Sequence, residues 1–131
     1  RWIGAELTTI ATQELAPYTE KNGKRVRIEG PQVLLEPDAA QAIAITLHEL
    51  ATNAAKYGAL SSASGQIELL WSHENGLLHL RWAETGGPKV QEPTRIGFGG
   101  RVVEQMITQL KGKACFDWRP DGLICAITLQ A

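Results

Sequence analysis

The stretch His48-Glu49-Leu50-Ala51-Thr52-Asn53-Ala54-Ala55-Lys56-Tyr57 places an acid, a carboxamide and an ammonium within about two turns of a helix, where residues three, four and seven apart share a face. At about 100° per residue, Ile43, Leu47, Leu50 and Ala54 form an apolar stripe, and Glu49, Asn53, Lys56 and Tyr57 form a polar one beside it. A carboxamide oxygen is a neutral hard ligand for Mg²⁺, and a lysine offers charge to a phosphate. A glutamate one turn earlier can orient or deprotonate a nucleophile, so the set suits a metal-bound polyphosphate. Taken alone, the same residues also fit a solvated helix face with ordinary surface pairs. A zinc protease site is excluded: His48-Glu49 begins an HExxH pattern, but Thr52 stands where the second His is needed.

A second set lies further on. Trp82-Ala83-Glu84 runs into Gly86-Gly87-Pro88, and Gly97-Phe98-Gly99-Gly100 runs into Arg101. Glycine permits close backbone approach, and a Gly-rich turn opening a helix aims free N–H groups at an anion. No Gly-Lys-Ser or Gly-Lys-Thr follows, and GxGxxG spacing is absent, so neither a P-loop nor a dinucleotide fingerprint is present. Glu84, at a strand end, is placed to accept a hydrogen bond from an exocyclic amine or simply to lie exposed.

These residues need elements to hold them. Residues 2–16 have helical spacing, with Pro17 as the stop; 25–29 alternate as a half-buried strand, and 33–36 form a second short one. Residues 39–57, opened by Pro37-Asp38 and closed by Gly58 as a C-terminal cap, form the strongest helix. Strands are expected at 66–72 and 77–82 around Asn75-Gly76, a helix at 101–110, and a last hairpin, 113–118 with 123–129, around Pro120-Asp121-Gly122. Between them, residues 84–100 hold five glycines and two prolines, a loop longer than compact domains usually keep without a function. The order predicts helices on one face of a mainly antiparallel or mixed sheet.

Composition sets the outer limits. The 131 residues, 44% hydrophobic, fit one domain, 1–131. Thirteen Lys and Arg against fourteen Asp and Glu give a net charge of −1, with no basic face for nucleic acid beyond a small cluster from Lys21 to Arg27. No segment is apolar enough to span a bilayer, which predicts a cytoplasmic domain without direct membrane contact. Cys115 and Cys125 make neither a disulfide framework nor a zinc site, and His48, His73 and His79 are the only histidines.

In order, these motifs resemble the ATP-binding catalytic domain of sensor histidine kinases, the Bergerat (GHKL) fold. Residues 48–58 look like the N box, Glu84-Thr85-Gly86-Gly87 takes the place of the first glycine box, and Gly97-Phe98-Gly99 that of the second. His48 and Trp82-Ala83-Glu84 are similar to the signature of the HWE subclass, and Glu14-Leu15-Ala16-Pro17-Tyr18 and Gly58-Ala59-Leu60-Ser61 look like further HWE features. The resemblance covers nearly the whole chain. It implies an α+β two-layer sandwich, a mixed sheet of about five strands with about three helices on one face.

By that resemblance Asn53 ligates Mg²⁺, Glu49 assists phosphoryl transfer or positions Mg²⁺-bound water, and Lys56 and Tyr57 reach the phosphates of ATP. Glu84 binds the adenine amine, Gly86 and Gly87 let the backbone approach the base, and Gly97, Phe98, Gly99 and Gly100 serve a short lid. Arg101 assists at the following helix start, and His48 and Trp82 have a structural part near the pocket. Ala126 lies near the place where many kinases have a Thr that supports adenine. The implied function is transfer of the γ-phosphoryl of Mg-ATP to a histidine on a separate dimerisation domain, expected upstream, from which a response regulator is charged. The alternative is a regulatory nucleotide-binding module of the same fold without transfer.

Overall fold

The computed structural model describes residues 4–19, 25–89 and 100–131. The chain order is β1 (Ala5–Glu6), α1 (Leu7–Thr19), β2 (Val26–Glu29), β3 (Leu34–Leu35), α2 (Pro37–Lys56), a 3₁₀ turn η1 (Ala59–Ser61), β4 (Gln66–Glu74), β5 (Leu77–Thr85), α3 (Gly100–Gln109), β6 (Lys113–Arg119) and β7 (Gly122–Gln130). Five strands form one mixed sheet in the order β2-β4-β5-β7-β6, in which β2 runs parallel to β4 and every other pair is antiparallel. This is the expected two-layer α+β architecture.

Alternation along the strands decides which face is covered. Ile67, Leu69 and Trp71 on β4, Leu78, Leu80 and Trp82 on β5, and Leu123, Cys125, Ile127 and Leu129 on β7 are buried against the helices. The opposite face is polar: Arg27 pairs with Glu68 and with Glu29, each at 2.9 Å. The helices supply the facing layer with Leu7, Ile10 and Leu15 from α1, Ile43, Leu47, Leu50 and Ala54 from α2, and Val103 and Ile107 from α3. The apolar stripe of α2 is thus the core stripe, which leaves its neighbouring stripe at the edge of the core.

Local chemistry sets the ends. Pro37 occupies the first turn of α2, where its missing N–H is not needed, and Asp38 and Lys56 complement the helix dipole at the two ends. Asn75 (φ 53°) and Gly76 (φ 77°) make the two-residue turn of the β4–β5 hairpin as expected.

Three expectations are corrected. The first helix begins at Leu7, because Ala5–Glu6 pairs antiparallel with Leu34–Leu35 and the Glu6 carboxylate caps the Thr9 N–H at 3.1 Å. It also passes Pro17 to end at Thr19, whose hydroxyl donates to the Ala16 carbonyl, so the proline falls in a last turn with little helix left to disrupt. Gly58 has φ −113° and is not a left-handed cap. It is glycine for another reason: a Cβ there would lie 2.2 Å from Glu84 Oε1.

Candidate functional site

The polar stripe of α2 lies open. Glu49 and Asn53 are half-buried, and Lys56 and Tyr57 are exposed. Among the described residues no hydrogen bond or ion pair engages the Glu49 carboxylate, the Asn53 carboxamide or the Lys56 ammonium. These are uncommitted donors and acceptors on a rigid helix. No group of three or more His, Cys, Asp or Glu among the described residues forms a metal cage. A donor set of one carboxamide with one carboxylate a turn away fits Mg²⁺, which keeps several waters and takes phosphate oxygens in preference to an all-protein cage.

Just beyond the C-terminal end of this stripe, Glu84, Trp82 and Arg25 are each engaged in hydrogen bonds. Glu84 is only 5% exposed, which overturns the reading of a strand-end glutamate that is simply solvated. Its Oε1 accepts the Ala59 N–H at 3.0 Å and its Oε2 accepts the Trp82 indole N–H at 2.9 Å. Two residues apart on one strand, Trp82 and Glu84 point to the same side, and the indole is fully buried. Burial pushes the Glu84 carboxyl above its ordinary value, and the hydrogen bonds from Ala59 and Trp82 offset only part of that.

The glycines hold this end together. Gly86 (φ 75°) accepts the Ser62 and Ser64 hydroxyls at 3.1 and 2.9 Å through its carbonyl. A Cβ on Gly87 would stand 2.7 Å from the Ala59 Cα, and one on Gly65 would stand 1.6 Å from the Ala59 carbonyl oxygen. The first glycine box is therefore packed backbone to backbone against the η1 turn. Arg25 closes the other side: its guanidinium donates to the Gly65 carbonyl (3.0 Å), the Ala59 carbonyl (3.1 Å) and the Ser62 carbonyl. The sequence places Arg25 in a basic cluster and at the start of the 25–29 strand, since nothing local ties it to a turn more than thirty residues away.

The fold thus brings Glu49, Asn53, Lys56 and Tyr57 to one helix end and Glu84, Gly86 and Gly87 against the segment that follows it. Gly100 is buried at the start of α3 and Arg101 is exposed. Gly97, Phe98 and Gly99 lie outside the described residues. His48 is exposed, with Nδ1 3.6 Å from Glu14 Oε1 on α1, so two of the signature segments meet across the helix pair away from the polar stripe. His73 and His79 lie on the hairpin, with His73 Nε2 2.9 Å from the Ala131 carbonyl and His79 Nδ1 3.4 Å from the Thr128 hydroxyl. Ala126 is exposed on the polar face of β7, whereas Cys125 faces the helices; burial pushes the Cys125 thiol up to about 12.

Comparison with known proteins fits this geometry. No family model matches the chain. Over 128 residues, 94% of the chain, it is 38% identical to a blue-light-activated histidine kinase of Brucella anthropi and 37% identical to one of Brucella ovis. The chain spans 26% of the length of these curated relatives. Among solved structures, the histidine kinase domain of the Erythrobacter litoralis EL346 blue-light-activated kinase superposes with a TM-score of 0.75 at 23% identity, covering 95% of this chain and 58% of that one. The catalytic domain of histidine kinase ThkA gives 0.74 at 16% identity, with 98% and 96% covered.

Proposed function

We propose that this chain, a homologue of histidine kinases with the fold of their ATP-binding catalytic domain, binds Mg-ATP at the junction of α2, η1 and β5. In this reading it presents the γ-phosphoryl to a histidine on a separate dimerisation domain, from which a response regulator is charged. The observation that carries the reading is the adjacency of two unlike groups. Asn53 and Glu49 are uncommitted on a helix face, and one chain segment away Glu84 and the first glycine box are locked in place.

Each residue has a part that its surroundings support. Asn53 holds Mg²⁺ through its carboxamide oxygen, Lys56 and Tyr57 reach the phosphates, and Glu49 orients the incoming nucleophile and takes its proton. Bound Mg²⁺ would neutralise charge on the transferring phosphates. Each Glu84 oxygen spends one lone pair internally and keeps another, which suits the adenine amine. Gly100 and the start of α3 offer N–H groups to phosphate, with Gly97, Phe98 and Gly99 as the lid. The phosphoacceptor lies outside these residues, because His48 is at the α1–α2 pair and His73 and His79 sit on the β4–β5 hairpin.

Titration with ATP, with and without Mg²⁺, tests the pocket. Asn53→Ala should remove the Mg²⁺ dependence and Glu84→Ala should weaken all adenine nucleotides, while unchanged affinity in both would dispose of the assignment. Incubation with labelled ATP should leave no acid-labile phosphate on the chain, and when a histidine-bearing helical hairpin domain is added the phosphate should appear on that domain.

A further inference from the structure

We infer that Arg25 and Trp82 are positioning residues for base recognition, fixing the Glu84 carboxylate from two sides, Trp82 directly and Arg25 by holding the backbone of Ala59. This rests on the reading of Glu84 as the group that meets adenine. A carboxylate on a three-bond side chain is a poor specificity element unless its rotamer is held, and here both oxygens are held.

The geometry around Ala59 singles out Arg25. The Ala59 N–H donates to Glu84 and the carbonyl of the same residue accepts from Arg25. The N–H and the carbonyl belong to the two peptide groups that flank the Ala59 Cα, so anchoring the carbonyl on Arg25 fixes the backbone that aims the N–H at Glu84. Arg25 makes no ion pair among the described residues; the hydrogen bonds it does make go to three backbone carbonyls of one turn. This is a use of the guanidinium fork that an ammonium cannot copy. Trp82 supplies the second anchor with the only polar atom of its side chain, inside a fully buried environment. Ordinary packing at that position needs only an apolar ring, and the indole N–H has a defined partner.

The test uses the 131-residue chain with ADP and IDP, which differ at the exocyclic group of the base. The wild type should prefer ADP. Arg25→Lys, which keeps the charge but loses the fork, and Trp82→Phe, which keeps an aromatic ring but loses the N–H, should each weaken ADP by about 3–10-fold. IDP affinity and Mg²⁺ dependence should stay unchanged, so that the ADP/IDP ratio collapses toward one. A merely structural role would weaken both nucleotides together or neither. A wild-type preference that survives intact in a folded variant overturns the inference. Should Trp82→Phe not fold, Arg25→Lys at the half-buried edge carries the test. A wild type that binds ADP and IDP equally overturns the role of Glu84 itself, and this inference with it.

Discussion

The two ends of the proposed pocket are built on opposite plans. At the base end, Glu84, Trp82, Arg25, Ala59 and the hydroxyls of Ser62 and Ser64 are joined by direct hydrogen bonds, and Gly65, Gly86 and Gly87 sit where any side chain would strike backbone. At the metal end, Glu49, Asn53 and Lys56 have no partner among the described residues. A group that must read a flat, neutral base gains from being fixed beforehand, since ordering it on binding would cost affinity. Groups that meet a hydrated cation and phosphates are satisfied by water until the ligand arrives, and can wait on a helix that is itself rigid.

If that contrast is right, substitutions at the base end should cost stability and those at the metal end should cost only binding. The largest effect is expected at Gly65→Ala, whose Cβ would stand 1.6 Å from the Ala59 carbonyl oxygen with no flexible side chain to give way. A loss of about 3 kcal/mol, near the upper range for overpacking, should lower the melting temperature by roughly 10 °C. A melting curve close to wild type would mean that the η1 turn is free to shift and that the base end is not fixed.

Glu84→Gln should come next. An amide has one acceptor oxygen, so either the Ala59 N–H or the Trp82 N–H would face the NH₂ group, a buried mismatch of about 1–3 kcal/mol. The pH dependence sharpens this. Because burial holds the Glu84 carboxyl above its ordinary 4.5, the folded chain binds that proton more tightly than the unfolded chain does. Stability from this group is therefore full below 4.5 and is lost as pH rises through the raised folded value. The margin of wild type over Glu84→Gln should accordingly grow as pH falls through that window, and denaturant titrations giving parallel pH profiles would contradict the burial.

Asn53→Ala should change stability by less than about 0.5 kcal/mol, because no described hydrogen bond is lost, while abolishing the Mg²⁺-dependent part of nucleotide affinity. A destabilised Asn53→Ala would place that residue in the scaffold and erase the contrast.

What the sequence disclosed divides along the same line. The α2 stripe was legible because a single helix carries Glu49, Asn53, Lys56 and Tyr57, and helical periodicity is a local property. The β4–β5 hairpin was legible from Asn75-Gly76. The base end depends on contacts between distant segments: Arg25 with residues 59–65, and Glu84 with Ala59. Gly58 illustrates the limit, since a glycine after a helix suggests a left-handed cap and is here needed to clear Glu84 Oε1. Glu84 was named, but its burial depends on the η1 turn folding over it. The strand at 34–35 falls within the expected 33–36, but its partner Ala5–Glu6 is not legible, because a two-residue strand has no period to read.

The smallest expected effect measures how closed the base end is before any ligand binds. Cys125 stands opposite Trp82 in the β5–β7 register, fully buried, with its thiol pushed up to about 12 by burial and by the nearby Cys115 and Glu104. Cys115, opposite Ala126 on the polar face, is exposed. A thiol reagent at pH 8 should thus label one cysteine per chain at once. The second should react only as fast as the chain opens, since burial both shields the Cys125 thiol and disfavours its thiolate. Metal-free ADP should slow that second phase only by the stability that ligand binding adds to the folded state, because the base end is already assembled. Glu84→Gln should speed it, and Asn53→Ala should leave it unchanged. Rapid labelling of Cys125 in the free wild type, arrested by ADP, would show instead that the nucleotide assembles the base end as well.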